Sequence, residues 1–231
     1  MSRSNGTTHK RMKTHMEVRW ASQLGICGLV CCFALTAQAQ FLVSNLDNTG
    51  DDIGWIAGYN GKLANSFTTG SGGAGWDLGS VTLDLMEYGS VVGDLQVFLA
   101  ADATGEPGTK IVDLNGPNPD GQTPVNYSYT PASITLLAPS TTYWIVTDGP
   151  GTIVDNYAWN RTDDTSETGL AGWSIGQTAY TDEFGSWEPL TIGPDEDDFP
   201  VLFSINVPEP HEYTLLASLG LLGFAYWRRR R

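Results

Sequence analysis

The sequence is short of cysteine and histidine in the region where a folded domain is expected. Its cysteines all lie in an apolar N-terminal stretch, at Cys27, Cys31 and Cys32. Its histidines all lie in the two end segments, at His9, His15 and His211. Residues 40–207 therefore offer no disulfide, no cysteine nucleophile, no histidine base, and no Cys or His ligand for zinc or iron–sulfur. Because most enzyme mechanisms use one of these groups, we expect the protein not to be an enzyme.

Basic residues are equally scarce in that region. Between Gln40 and Val207 there are 23 acidic residues and three basic ones, a net charge of −20, and the basic residues are Lys62, Lys110 and Arg161. Binding to nucleic acid depends on neutralising phosphates with Lys and Arg, so a surface this acidic repels it. The sequence therefore excludes nucleic acid as a partner.

The N-terminus has the three parts of a secretory signal peptide. A basic region precedes an apolar run from Leu24 to Leu35, and Ala37 and Ala39 then form an Ala-x-Ala cleavage site. The apolar run is shorter than the ~20 residues of a membrane span. We expect Sec-type export, with residues 1–39 removed after Ala39. Both Met1 and Met16 are candidate translation starts, because residues 16–39 alone would form a compact signal peptide.

The C-terminus predicts a second, weaker membrane segment. A Val-Pro-Glu-Pro motif, formed by Val207, Pro208, Glu209 and Pro210, precedes apolar residues 213–227. As a helix, this segment would be about 22 Å long, against a hydrocarbon core of ~30 Å. The four arginines that end the chain would stop transfer and stay in the cytoplasm, and these are Arg228, Arg229, Arg230 and Arg231.

These C-terminal features, in this order, resemble the PEP-CTERM sorting signal over residues 207–231. The resemblance implies that an exosortase recognises the motif around Glu209 and removes the tail after transient inner-membrane anchoring. It also implies a Gram-negative host and delivery to the cell surface or extracellular matrix, often one rich in exopolysaccharide. The alternative is a permanent C-terminal membrane anchor.

The region between the two ends reads as β-strands. Apolar residues alternate with polar ones in several short runs, such as Val81–Leu85, Leu95–Leu99, Ile134–Leu136 and Val201–Val207, with Gly- and Pro-rich turns between them. In the run from Tyr143 to Val146 every residue is apolar, which predicts a strand covered on both faces. We expect an all-β fold: one antiparallel β-sandwich, jelly-roll-like, over residues 40–206.

The same region resembles the choice-of-anchor R domain, an extracellular β-rich module. The resemblance rests on five runs in order: Leu63–Gly70 before a strand at Leu78–Leu83, then Leu95–Leu99, Gly105–Gly108 and Leu137–Val146. It implies an envelope-associated β domain. It assigns no catalytic residue.

The residues indicate two kinds of candidate binding site, one for sugar and one for calcium. Trp173 and Trp187 are flanked by small or polar loop residues and are candidates for stacking on sugar rings, although tryptophans also fill β-sandwich cores. Acidic runs are candidates for calcium, which takes six to eight oxygen ligands. None has EF-hand spacing, so no cofactor is required, and the candidate ligands are Asp195, Asp197 and Asp198, or Asp47, Asp51 and Asp52.

These observations favour an exported, non-enzymatic surface or matrix protein with a structural or adhesive role. The first alternative is a carbohydrate-binding module that uses the tryptophans. The second is a glycan hydrolase, the enzyme class that works with two carboxylates and no histidine. No acidic residue stands out as its catalytic acid.

Overall fold

The described part of the chain is built from strands. The computed structural model describes residues 41–50, 55–57, 61–89, 93–149, 156–181, 185–190, 200–208 and 228, and it contains no helix between residues 41 and 208 in these ranges. The strands are β1 (Phe41–Ser44), β2 (Trp55–Ala57), β3 (Lys62–Thr68), β4 (Trp76–Asp77), β5 (Ser80–Tyr88), β6 (Gln96–Asp102), β7 (Pro107–Asn115), β8 (Val125–Pro131), β9 (Leu136–Leu137), β10 (Thr142–Asp148), β11 (Asn156–Trp159), β12 (Thr168–Gly169), β13 (Ser174–Thr181), β14 (Trp187–Pro189) and β15 (Phe203–Asn206).

Thirteen of these strands form one curled antiparallel sheet. Its order is β12-β1-β15-β5-β8-β7-β6-β10-β3-β13-β14, and β11 pairs with β5 and β2. The first half runs from β12 to β8, and the second half runs from β7 to β14. They are joined at a short corner, where Leu114 and Asn115 of β7 pair with Pro131 and Thr130 of β8. Strands β4 and β9 form a separate two-stranded pair.

The predicted period-two alternation is confirmed where the strands are long. In β5, Val81, Leu83 and Leu85 are buried and the residues between them are half-buried. The five central residues of β10 are all buried, as expected for a strand covered on both faces. One hydrophobic cluster joins inward side chains from both halves of the sheet, among them Trp159, Phe203, Phe67, Leu99 and Ile145. The all-β prediction is therefore correct.

The alternation at Ile134–Leu136 has the opposite orientation to the one expected of a half-buried strand. Thr135 is buried, whereas Ile134 is 94% and Leu136 61% exposed. The backbone explains this, because the Thr135 carbonyl accepts a hydrogen bond from the Leu78 N–H at 2.9 Å and the Thr135 hydroxyl donates to the Ser133 carbonyl. These bonds turn the threonine inward and both aliphatic side chains outward.

Two buried asparagines fix the chain just before the last strand. The Val201 N–H donates to Asn65 Oδ1 at 3.2 Å, and the Val201 carbonyl accepts from Asn45 Nδ2 at 3.0 Å. Asn65 also donates to the Gly176 carbonyl and accepts from the Thr178 hydroxyl. Asn65 lies on β3 in the second half of the sheet, whereas Val201 leads into β15 in the first half. Asn65 therefore ties the two halves together across the core.

The predicted membrane segments fall outside this description. Residues 1–39 and 213–227 are not among the described residues. Within the part of the chain that is described, no helix is both long and apolar enough to cross a membrane.

The Asn65→Ala variant tests the link between the halves. It leaves the buried Val201 N–H without its side-chain partner and also removes the part-buried hydrogen bond to the Gly176 carbonyl. An unsatisfied buried donor costs about 1–3 kcal/mol, so we expect a loss of about 1–3 kcal/mol or more in unfolding free energy. Chemical denaturation measures the loss. Asn126→Ala, at an exposed position of β8, is the control and should change stability by less than about 0.5 kcal/mol. Equal stability of the two variants would contradict the assigned role of Asn65.

Candidate functional site

The two ends of the described domain meet at the same end of two neighbouring strands. Strand β1 begins at Phe41, β15 ends at Asn206, and the Cα atoms of these residues are antiparallel partners. The predicted signal cleavage site after Ala39 therefore lies two residues before the first strand. The Val207–Pro210 motif follows directly after the last one.

The motif begins while the chain is still in contact with the domain. Val207 is half-buried and packs on the main hydrophobic cluster. The Gly79 N–H donates to the Asn206 carbonyl at 2.8 Å, and a side chain at Gly79 would collide with the backbone of Val207 and Pro208. Glu209 and Pro210 lie outside the described residues, as do three of the four C-terminal arginines.

Trp173, one of the two sugar-stacking candidates, is a core residue. Its side chain is 5% exposed and stacks on Phe67, with ring centroids 6.2 Å apart and an interplanar angle of 4°. Trp76 packs against it edge-on at 5.7 Å. A sugar has no access to either face of this ring, so Trp173 is not part of a candidate surface site.

Trp187, the other candidate, lies on the outer face of the sheet. It is half-buried on β14 and packs, with Phe98, against a small cluster that is separate from the main core. We call this surface the outer face and define it by Ala64, Phe98, Ala100, Trp144, Val146, Ala179 and Trp187. Trp144 is buried within it and donates from Nε1 to Asp102 Oδ1 at 2.9 Å.

Both lysines of the acidic region are at the outer face. Their Nζ atoms lie 5.6 Å (Lys62) and 5.5 Å (Lys110) from the centroid of the Phe98 ring, which is cation–π range. Lys62 pairs with Asp148 at 3.0 Å and Lys110 with Asp113 at 2.8 Å. The face therefore combines half-buried aromatic rings with charges that are balanced locally, within a domain that is otherwise strongly acidic.

A cleft of about 620 Å³ lies at the C-terminal end of β5. It is lined by Gly50, residues 86–89, residues 122–124 and Asn160. Asn160 Nδ2 donates to Asp84 Oδ2 at 2.9 Å beside this cleft. Burial raises the pKa of the Asp84 carboxyl, and the Asn160 hydrogen bond opposes the rise. A glycosidase needs two carboxylates at a defined separation; among the described residues that line the cleft, Glu87 is the one acidic side chain.

The acidic runs proposed for calcium are only partly described. Asp195, Asp197 and Asp198 lie outside the described residues, and so do Asp51 and Asp52 of the other run. Among the residues that are described, no three His, Cys, Asp or Glu side chains are grouped to hold a metal ion. Calcium binding by the acidic runs remains a prediction.

Sequence reasoning missed Phe98 and the two lysines as residues of the outer face, on which Phe98 in β6 is separated from Trp187 in β14 by strands β10, β3 and β13. One signal was present, since the alternation of β6 places Phe98 on the face opposite Val97 and Leu99. The approach of Lys62 depends on the β3–β10 register, which sets it opposite Asp148. Spacing along the chain does not reveal that register.

Comparisons with protein-family models, with curated proteins and with solved structures find no match to the chain.

The Asp84→Asn variant tests how the half-buried Asp84 carboxyl affects the stability of the fold. Because the pKa is raised, the folded state keeps the Asp84 carboxyl protonated to a higher pH than the unfolded state does. Ionisation of Asp84 therefore lowers the free energy of unfolding once the pH rises above about 3.8. We expect Asp84→Asn to melt at a higher temperature than the parent at pH 7. At pH 3, where the carboxyl is protonated in both states, the two should be equal. Glu106→Gln, at an exposed turn position, is the control; the same effect there would remove burial as the cause.

Proposed function

We propose that this protein is an exported, non-enzymatic cell-surface or extracellular-matrix protein. In this proposal the Sec machinery exports it, its tail holds it briefly in the inner membrane, and an exosortase processes it. A structural or adhesive role in the exopolysaccharide or envelope of a Gram-negative bacterium follows from the resemblance of its tail. The observation that carries the proposal is the order of motif, apolar segment and arginines at residues 207–231.

The boundaries of the fold support this proposal. Strand β1 begins at Phe41 and β15 ends at Asn206. Cutting after Ala39 and near Glu209 would therefore leave every described strand and every described core residue in the mature chain. A sorting signal that is removed after export needs this independence from the domain it delivers.

We propose further that the curled sheet is an antiparallel β-sandwich, jelly-roll-like and related to the choice-of-anchor R domain. Support comes from the single hydrophobic cluster shared by the two halves. Crossovers such as β5 to β15 and β3 to β13 are typical of Greek-key sandwiches.

The second candidate function is carbohydrate binding at the outer face. The observation that favours it is the position of Trp187 and Phe98, two half-buried aromatic rings at a surface that also carries Lys62 and Lys110. Half-buried aromatic rings can stack on the apolar face of a sugar ring while nearby polar groups bond its hydroxyls. Trp187 is the ring proposed to do so, because Lys62 and Lys110 lie over the Phe98 ring. A binding module of this kind would fit an exported matrix protein.

The sorting proposal predicts a processed mature chain. In the native host, intact-mass measurement should find a chain that begins at Gln40 and ends near Pro208. Glu209→Ala should leave tail-bearing protein in the inner-membrane fraction, because the motif is altered. His211→Ala, just beyond the motif, should be processed as the parent is. Tail-bearing protein in the parent strain would mean a permanent anchor instead.

The carbohydrate alternative is tested on an array of bacterial polysaccharides. Trp187→Ala should weaken binding about tenfold or more, the loss expected when an aromatic contact worth about 1.4 kcal/mol is removed. Tyr180→Ala is the matched control, because Tyr180 is an exposed aromatic residue of β13 that follows Ala179 of the outer face and so lies on the opposite side of the strand. If the parent binds no glycan, or if both variants bind as the parent does, the outer face is not a sugar site.

A further inference from the structure

The two chain ends define one pole of the domain. Phe41 pairs with Asn206, and the Gly79 N–H donates to the Asn206 carbonyl. Residues 133–137 lie beside Leu78, because the Leu78 N–H donates to the Thr135 carbonyl at 2.9 Å. We call this end the tail pole, and it consists of Phe41, residues 76–79, residues 133–137 and residues 206–208.

The tail pole exposes apolar side chains and carries almost no charge. Ile134 is 94%, Leu136 61% and Phe41 50% exposed, and Ile134 is the most exposed large hydrophobic residue of the described chain. Asp77 is the pole's one charged residue, in a region with a net charge of −20. Exposed apolar side chains in a charge-poor area mark a contact surface rather than a solvated one.

The opposite end of the first half of the sheet is acidic. Strand β5 leaves the tail pole at Ser80 and has nine residues, so its far end lies about 26 Å away. Glu87 lies there and donates its N–H to the Gly121 carbonyl, which places Asp120 nearby. An anionic membrane surface would repel this end and not the tail pole.

Chain length limits how far the tail pole can lie from the membrane. Pro208 belongs to the pole, and the apolar tail segment begins five residues later at Tyr213. Five extended residues span at most ~18 Å, so an anchored tail keeps the pole near the headgroups. The N-terminal signal imposes a similar limit before its cleavage, because its apolar run ends at Leu35, six residues before Phe41.

We propose that the tail pole is a lipid-contacting surface that seats the domain on the membrane while its tail is attached. Phe41, Ile134 and Leu136 enter the interfacial region, and the acidic end points away from the bilayer. Three side chains give a weak contact without the tail, so processing would free the domain from the surface. This inference rests on the proposed membrane-anchored tail.

The test uses signal-cleaved, tail-bearing protein from a host without exosortase. Its natural cysteines leave with the signal peptide, so Ile134→Cys carries one environment-sensitive dye, such as NBD. The protein is reconstituted into phosphatidylcholine vesicles with spin-labelled lipid near the headgroup. We expect blue-shifted emission that the spin label strongly quenches. The control is Thr109→Cys, at an exposed position of β7, which should keep its emission; both variants are first checked for the parent melting temperature.

The outcomes separate this inference from the proposed function. If the protein does not float with the vesicles, the anchored tail itself is wrong, and the inference falls with it. If it floats but the dye at position 134 is unquenched, only the lipid contact is overturned. A blue shift that depends on protein density and not on the spin label would assign the pole to a second copy of this chain, which also overturns it.

Discussion

The backbone of Val201 is held from both sides by buried asparagines, and the closed core depends on this contact. Asn45 comes from the loop after β1 and Asn65 from the inner side of β3, so the chain entering β15 is bonded to both halves of the sheet. Leu202, the next residue, is held too, since its carbonyl accepts from Trp159 Nε1 at 2.8 Å. A buried backbone group needs a partner, and these three side chains add partners to the backbone bonds that Leu202 makes with Asp84 and Asn160.

The position of β15 decides where the chain leaves the domain. Because β15 lies between β1 and β5, its end at Asn206 lies beside the beginning of both neighbours. The described chain therefore enters β1 and leaves β15 at one pole, and the two predicted processing sites lie within a few residues of these points in sequence. With both chain ends at one pole, a membrane-attached tail would hold that pole toward the membrane. The outer face and the acidic end would then stay available to other partners.

The outer face and the tail pole differ in chemistry. The outer face combines Trp187 and Phe98 with lysine–carboxylate pairs, so polar ligands with an apolar side suit it. The tail pole has aliphatic side chains and one charge, which suits lipid. Both surfaces are unusual in a region with a net charge of −20, because that charge is carried elsewhere on the domain.

The sequence by itself determined that the domain is built from strands and that residues 40–207 lack cysteine and histidine. Alternation and residue counts are local properties of the chain, so no tertiary structure is needed to see them. It also predicted the signal peptide and the sorting tail that flank the domain. Tertiary structure alone decided that Trp173 is core while Trp187 is on the surface, since both have similar small or polar neighbours in sequence. It alone turned Ile134 outward, because the decisive bond comes from Leu78, more than fifty residues away in the chain. Strand register and long-range hydrogen bonds set which face each side chain occupies, and neither is encoded in local spacing.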